Sequence, residues 1–278
     1  MNPIDTIMMF LLTIGVLSAG MAFSKQGKDM TSFFAAGGAV PWQTSGLSLF
    51  MSFFSAGTFV VWGSVAYLHG WVAISIQWTM ALAGLLVGTC IAPRWHRTGS
   101  LTVAEYIDKR LGVHVQKTYT FLFLFISLFL TASFLYPVAK IVEVSTGLDL
   151  NLCIILLGAF CILYVSAGGL WAVVSTDVLQ FIILMAAIII VVPLSLERVD
   201  GLHALLSQLP DRYFQLTANE YPLLFILAFG LYNAIFLGGN WAYVQRFTCV
   251  RTSADAKRVG WFFAALYFVS PMLWMLPP

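Results

Sequence analysis

Glycine and small polar residues gather in the middle of two otherwise apolar stretches. The first carries Ser52, Ser55-Ala56-Gly57-Thr58 and Gly63-Ser64, and the second carries Gly230, Asn233 and Gly238-Gly239-Asn240. A membrane helix hides its backbone polar groups in its own hydrogen bonds. An interruption at mid-span frees carbonyls and exposes half-helix ends, which can hold a cation and a small polar solute together. Close packing through small residues is the plainer explanation of one such cluster taken alone. Two clusters five helices apart, as an internal repeat would place them, favour binding.

Single polar residues in apolar surroundings add to this. Asp177, in Ser175-Thr176-Asp177-Val-Leu-Gln180, fits an ordinary helix start with a capping acid. Its carboxylate could equally support a cation site from the cytoplasmic side, and both roles can hold. Gln77 lies within ISIQWTMALAGLL, where a buried amide must find a partner, either a neighbouring helix or a solute. Lys140 precedes Glu143 by three residues near a span end and is expected to snorkel and pair with it. The aromatic-rich run from Phe121 to Phe134 reads as lipid-facing or packing surface. Enzyme signatures are missing: no HExxH, GxSxG or GxxxxGK occurs, nor any pair of intramembrane carboxylates. His69, His96, His114 and His203 are scattered, and Cys90, Cys153, Cys161 and Cys249 show no paired spacing. Neither an enzyme nor a transition-metal site is expected.

The elements that must position these residues follow from composition. Of 278 residues 60% are hydrophobic and 9% charged, against about 25% charged in soluble domains. A water-soluble core, a disordered chain and a nucleic-acid-binding protein are excluded. Eight apolar stretches fall near 5–24, 44–68, 71–93, 118–146, 151–167, 175–196, 221–243 and 260–277. The first is expected to be a retained helix rather than a signal peptide, because its positive charges, Lys25 and Lys28, follow the apolar run. With the amino terminus outside, the inner loops hold Lys25, Lys28, Arg94, Arg97, Lys109, Arg110, Lys117, Arg246, Arg251, Lys257 and Arg258. Only Lys140, Arg198 and Arg212 fall on or near the other side, so eleven basic residues face three. Thr102-Val-Ala-Glu105 predicts a capping box opening a short amphipathic helix on the cytoplasmic surface. The long outer segment 198–220 predicts a short helix around 201–208. No flexible linker divides the chain.

Four stretches resemble the sodium/solute symporter family of sodium-coupled sugar, proline and pantothenate carriers. They are FFAAGGAVPWQTSGLSLFMSFFSAGTFVVWG (33–63), LTVAEYIDKRLG (101–112), YVSAGGLWAVVSTDVLQ (164–180) and NWAYVQRFTCVRTSADAKR (240–258). The resemblance implies an all-α polytopic membrane protein of about eight transmembrane helices. Its fold would be part of the inverted-repeat architecture of the leucine transporter, preceded by one extra helix. Within a single transmembrane domain, 1–278, residues 5–24 would form that extra helix and 44–196 the first five-helix repeat. Residues 221–278 would begin a second repeat. The family continues with several more helices, so a carboxy-terminal half supplied by further sequence or a separate chain is expected.

The resemblance also implies site residues. Met51 and Phe54 match sodium-coordinating backbone carbonyls on the broken helix, and Asp177 matches the acid that supports them. Solute contacts fall at Thr58, Gln77 and Asn233, with an aromatic gate at Phe236. Here Gln77 stands where sugar carriers have Glu and Phe236 where they have Tyr, and FAALYFV (263–269) lacks their Lys. The expectation is a sodium-coupled symporter for a small organic solute, with sodium as coupling ion and no organic cofactor. It would sit among lipid in the plasma (bacterial inner) membrane and bind no nucleic acid. The alternative is a receptor or sensor on the same scaffold, binding solute without net transport.

Overall fold

The computed structural model describes Ile7, Leu11, residues 13–16, Ser18, Ala22 and residues 29–277. The expected first span, 5–24, therefore falls outside the described residues except at those isolated positions. No strand occurs among the described residues. The helices in chain order are α1 (Met30–Ala35), α2 (Trp42–Met51), α3 (Ala56–His69) and α4 (Trp71–Thr98, with a π turn at Val87–Ile91). Then come α5 (Val103–Leu111), α6 (Val113–Thr146), α7 (Leu150–Glu197) and α8 (Leu202–Gln208). The last three are α9 (Leu223–Gly239), α10 (Trp241–Thr248) and α11 (Ser253–Trp274).

Three of these, α4, α6 and α7, are long and apolar enough to cross a membrane, and α9 with α10 makes a fourth as one bent span. The difference from eight stretches has local causes. The stretch 44–68 is split into α2 and α3 by a break at 52–55. The stretches 151–167 and 175–196 lie together in α7, which is interrupted only at Gly169. There the backbone adopts φ +57 and ψ −143, and an added Cβ would sit 2.6 Å from the Phe33 carbonyl oxygen. One glycine thus replaces the expected loop 168–174, because no other residue tolerates both that conformation and that contact.

The chain forms two compact units. One comprises residues 1–40 and 98–176. In it the Thr102 hydroxyl accepts the Glu105 amide at 3.1 Å, and the Glu105 carboxylate accepts the Leu101 amide at 2.8 Å, starting α5. Lys109 Nζ lies 2.5 Å from Glu105 across one turn. In α6 only Ala139 is buried, so Phe121 to Phe134 stand on its exposed surface. Lys140 pairs with Glu143 at 2.5 Å.

The other unit comprises residues 41–97 and 177–278. Its centre is α4, which packs on α9 and α11, while α11 also packs on α2. Glycines permit this. An added Cβ on Gly260 of α11 would stand 2.4 Å from the Gly88 Cα of α4, and one on Gly84 would meet Phe263 at 2.6 Å. The backbones therefore touch at Gly88 and Gly260, the close approach that small residues give helices where no water drives association. The segment 198–220 carries α8, close to its expected place, and a 3₁₀ turn at Asp211–Phe214.

Candidate functional site

The first break follows from a local contest for hydrogen bonds. After Met51 the helix tightens: the Phe53 amide reaches Phe50 at 3.2 Å and the Phe54 amide reaches the Met51 carbonyl at 3.0 Å. Then Ser55 turns extended and α3 begins with a reciprocal cap. The Thr58 hydroxyl accepts the Ser55 amide at 3.0 Å and donates to the Phe53 carbonyl at 3.0 Å. Thr58, expected as a solute contact, is thus engaged in holding the break open. Met51 and Phe54, the expected sodium ligands, are brought together by their own hydrogen bond. A carbonyl has two lone pairs, so Met51 retains one.

The second break separates α9 from α10, whose axes are bent by 59°. The Asn240 side chain caps the new helix by accepting the Ala242 amide at 3.0 Å. The Trp95 indole of α4 donates to the Gly238 carbonyl at 2.8 Å. Asn233, 4% exposed, donates to the Thr79 hydroxyl at 2.8 Å, which ties α9 to α4. Gln77 is 5% exposed, and no hydrogen bond to its amide is found among the described residues. Phe236 stacks on Tyr232 at 5.5 Å and meets Tyr243 edge-on at 5.2 Å. Tyr243 in turn stacks on Phe53 at 4.4 Å. One aromatic column therefore joins the two breaks, from Phe236 through Tyr243 to Phe53.

Asp177 does not cap a helix. It lies eight residues past Gly169 inside α7, because the hydroxyls of Ser175 and Thr176 fold back on the carbonyls of Trp171 and Val173 and the helix continues. Its carboxylate accepts the Ser48 hydroxyl of α2 at 2.5 Å and stands 3.7 Å from the Arg246 guanidinium of α10. Arg246 also donates from Nε to Ser48 Oγ at 3.2 Å and from Nη1 to the Ala242 carbonyl at 2.8 Å. Ser45 donates to the Arg246 carbonyl at 2.6 Å. The network reaches the first break within one turn, since the Ser52 hydroxyl donates to the Ser48 carbonyl at 2.8 Å.

Sequence reasoning missed Ser45, Ser48 and Arg246. Arg246 was counted as a loop cation, although it lies only six residues past the Asn240 break and is 8% exposed. A signal existed: Ser45 and Ser48 are one helical turn apart and face one direction.

The described residues combine apolar helices long enough to cross a membrane, one bent span, a second helix break at 52–55, and polar groups buried near both breaks. Comparison with known proteins makes the class definite. The family model described as the sodium:solute symporter family matches residues 33–224, and the chain belongs to that family. It is 26% identical to the sodium/glucose cotransporter of Vibrio parahaemolyticus over 292 residues, covering 98% of this chain and 54% of that protein. It is 28% identical over 204 residues to sodium/glucose cotransporter 1 of Oryctolagus cuniculus, covering 72% of this chain and 31% of that one. The chain thus spans about a third to a half of the length of these curated relatives. Among solved structures, a Na+-coupled sialic acid symporter in a substrate-bound outward-open state matches with a TM-score of 0.86. That match covers 99% of this chain and 60% of the other at 22% identity. The expected leucine-transporter-like fold is therefore borne out, in an integral membrane protein.

Proposed function

We propose that the chain is part of a symporter that moves a small hydroxylated solute inward together with sodium. The observation that carries this is the pairing of two broken helices within one unit, joined by the column Phe236–Tyr243–Phe53. Sodium wants several hard oxygen ligands, and the carbonyls of Met51 and Phe54 supply two. Asp177 supports them through Ser48, one turn toward the cytoplasm. The solute binds beside them: Gln77 offers an amide that has no partner among the described residues, Asn233 is fixed by Thr79, and Phe236 closes the site as an aromatic gate. Thr58 contributes its remaining lone pair. The relatives named for glucose and the sialic acid symporter support a sugar-like solute.

In this reading the amino terminus is outside, in the plasma membrane. Residues 44–196 form the first repeat and residues 221–278 open the second. The carboxy-terminal part of the transporter completes the sodium site. The electrical contribution to uptake is about 2.3 kcal/mol per charge per 100 mV. The test is uptake of radiolabelled D-glucose and N-acetylneuraminic acid into membrane vesicles carrying the complete gene product. Uptake is expected only with an inward sodium gradient. Equal uptake when potassium replaces sodium would refute the coupling.

A further inference from the structure

Along one flank of the second unit, α4 and α11 leave an apolar lane that none of the proposed sodium or solute contacts uses. On α4, Trp78, Leu82, Leu85 and Thr89 recur at i, i+4, i+7 and i+11, so they share one helix face. On α11, Trp261 and Phe268 stand at i and i+7 and line up against them. Contacts at both ends fix the register. The Trp78 indole stacks on the Phe268 ring at 5.2 Å and donates to the Phe268 carbonyl at 3.0 Å. The Trp261 indole donates to the Thr89 hydroxyl at 3.0 Å. Leu82, Leu85, Trp261 and Phe268 are exposed, so the lane is open along its length among the described residues.

Basic residues gather at one end. The Lys257 ammonium lies 4.5 Å over the Trp261 ring, an attraction that holds the charge at the mouth of the lane. His96 meets the Val250 carbonyl at 3.0 Å, and the residues that follow these two, Arg97 and Arg251, are both exposed. Among the described residues no acid pairs with Lys257, Arg97 or Arg251. The segments 87–98 and 249–262 contain one acid, Asp255, and Arg258 takes it at 3.0 Å. The patch therefore keeps a surplus of positive charge.

Length and charge identify the occupant. From Trp78 to Thr89 the lane runs about 16 Å at the rise of an α-helix, which is about half the hydrocarbon thickness of a bilayer. That is the span of one acyl chain in one leaflet. Just beyond such a chain lies a phosphate, which arginine and lysine bind through charge-assisted hydrogen bonds. With no unpaired acid to meet a choline or ammonium group, the patch selects a lipid of net negative charge. We propose that the lane seats one acyl chain of an anionic phospholipid, its headgroup held by Lys257, Arg97 and Arg251. The proposed function bears on this only through orientation, which puts the headgroup in the cytoplasmic leaflet.

The experiment is native mass spectrometry of the purified chain, released from micelles holding equal amounts of dioleoyl phosphatidylglycerol and dioleoyl phosphatidylcholine. Preferential retention of phosphatidylglycerol is expected. The preference should fall by about tenfold or more in the Lys257→Gln, Arg97→Gln, Arg251→Gln triple variant, which removes three basic residues from the membrane surface. A second measurement leaves the basic residues in place. Phosphatidylglycerol brominated on its acyl chains is expected to quench more tryptophan emission than equally brominated phosphatidylcholine, and the excess should vanish in Trp261→Phe. Equal retention of the two lipids, an undiminished preference in the triple variant, or equal quenching would each overturn the proposal. So would full displacement by sn-glycerol 3-phosphate, which would show an anion site without an acyl lane. None of these readouts needs sodium or a sugar, so failure of the proposed transport would leave them unchanged.

Discussion

Arg246→Met tests whether the Asp177 network holds the second unit together through charge. The Arg246 and Asp177 side chains are 10% and 14% exposed, and their closest approach is 3.7 Å. Near 4 Å two unit charges attract by about 4 kcal/mol at an effective dielectric of about 20, offset in part by desolvation of both. Removing one partner forfeits the attraction and leaves the desolvation, which typically costs about 3–5 kcal/mol. Here the contact is single rather than forked, and Ser48 still donates to the carboxylate at 2.5 Å. The lower end, about 3 kcal/mol, is therefore expected.

Asp177→Asn removes the charge yet keeps an oxygen for Ser48. Combining it with Arg246→Met is expected to recover about 2 kcal/mol of the sum of the single losses. The assay is a double-mutant cycle on the purified chain, followed as loss of helical circular dichroism during denaturant titration in mixed micelles. Losses that add to within about 0.5 kcal/mol would show that the 3.7 Å pair is incidental.

Three further perturbations follow. Thr58→Val strips the Ser55 amide and the Phe53 carbonyl of their partner and is expected to cost about 1–3 kcal/mol in the same titration, with Thr58→Ser restoring most of it. Gly169→Ala should lower the unfolding midpoint far more than Gly158→Ala, since the added Cβ meets Phe33 O at 2.6 Å in the first case and only Leu135 at 3.9 Å in the second; equal shifts would remove the argument for a one-residue break. The Lys109 side chain beside Glu105, with the Leu101 amide, holds the Glu105 carboxyl below its usual range, so its stabilisation of α5 is present above the ordinary glutamate pKa and lost as pH falls through the depressed one. Hydrogen exchange at Leu101, compared with Glu105→Gln at each pH, should show protection in the wild type that disappears in acid and a difference between the two that shrinks with it.

The breaks were legible in sequence because small polar residues at mid-span contradict the apolar pattern around them. Their polar partners were less so. Asp177 stood out as an acid in an apolar run, but its cation lies 69 residues away in Arg246 and had the appearance of a loop charge. Pairing over that distance is set by how α2, α7 and α10 pack, which no local pattern encodes. The gap between the stretches 151–167 and 175–196 marked an interruption correctly and its length wrongly, since the turn at Gly169 depends on contact with Phe33. The π turn at Val87–Ile91 has no sequence signal of its own. It arises where α4 must meet Gly238 of α9 and Gly260 of α11 at once.

A helix broken inside a membrane persists only if the groups it frees are met, because an unsatisfied amide or carbonyl in apolar surroundings costs several kcal/mol. In this chain most are met from within the same unit. Thr58 takes the Ser55 amide and the Phe53 carbonyl, Asn240 takes the Ala242 amide, and the Trp95 indole reaches the Gly238 carbonyl. Those pairings are structural, and Thr58 serves the break through both of its own. The groups left with spare capacity are then the informative ones. The Met51 carbonyl keeps a lone pair, and the Gln77 side chain, on a residue 5% exposed, makes no hydrogen bond among the described residues. Hard oxygen suits a cation and an open amide suits a hydroxyl, so under the proposed function the ion and the solute would fall to different residues of one unit. The rings of Phe53, Tyr243 and Phe236 touch in sequence between the two breaks. Under the proposed function, that contiguous packing is support shared by the two breaks.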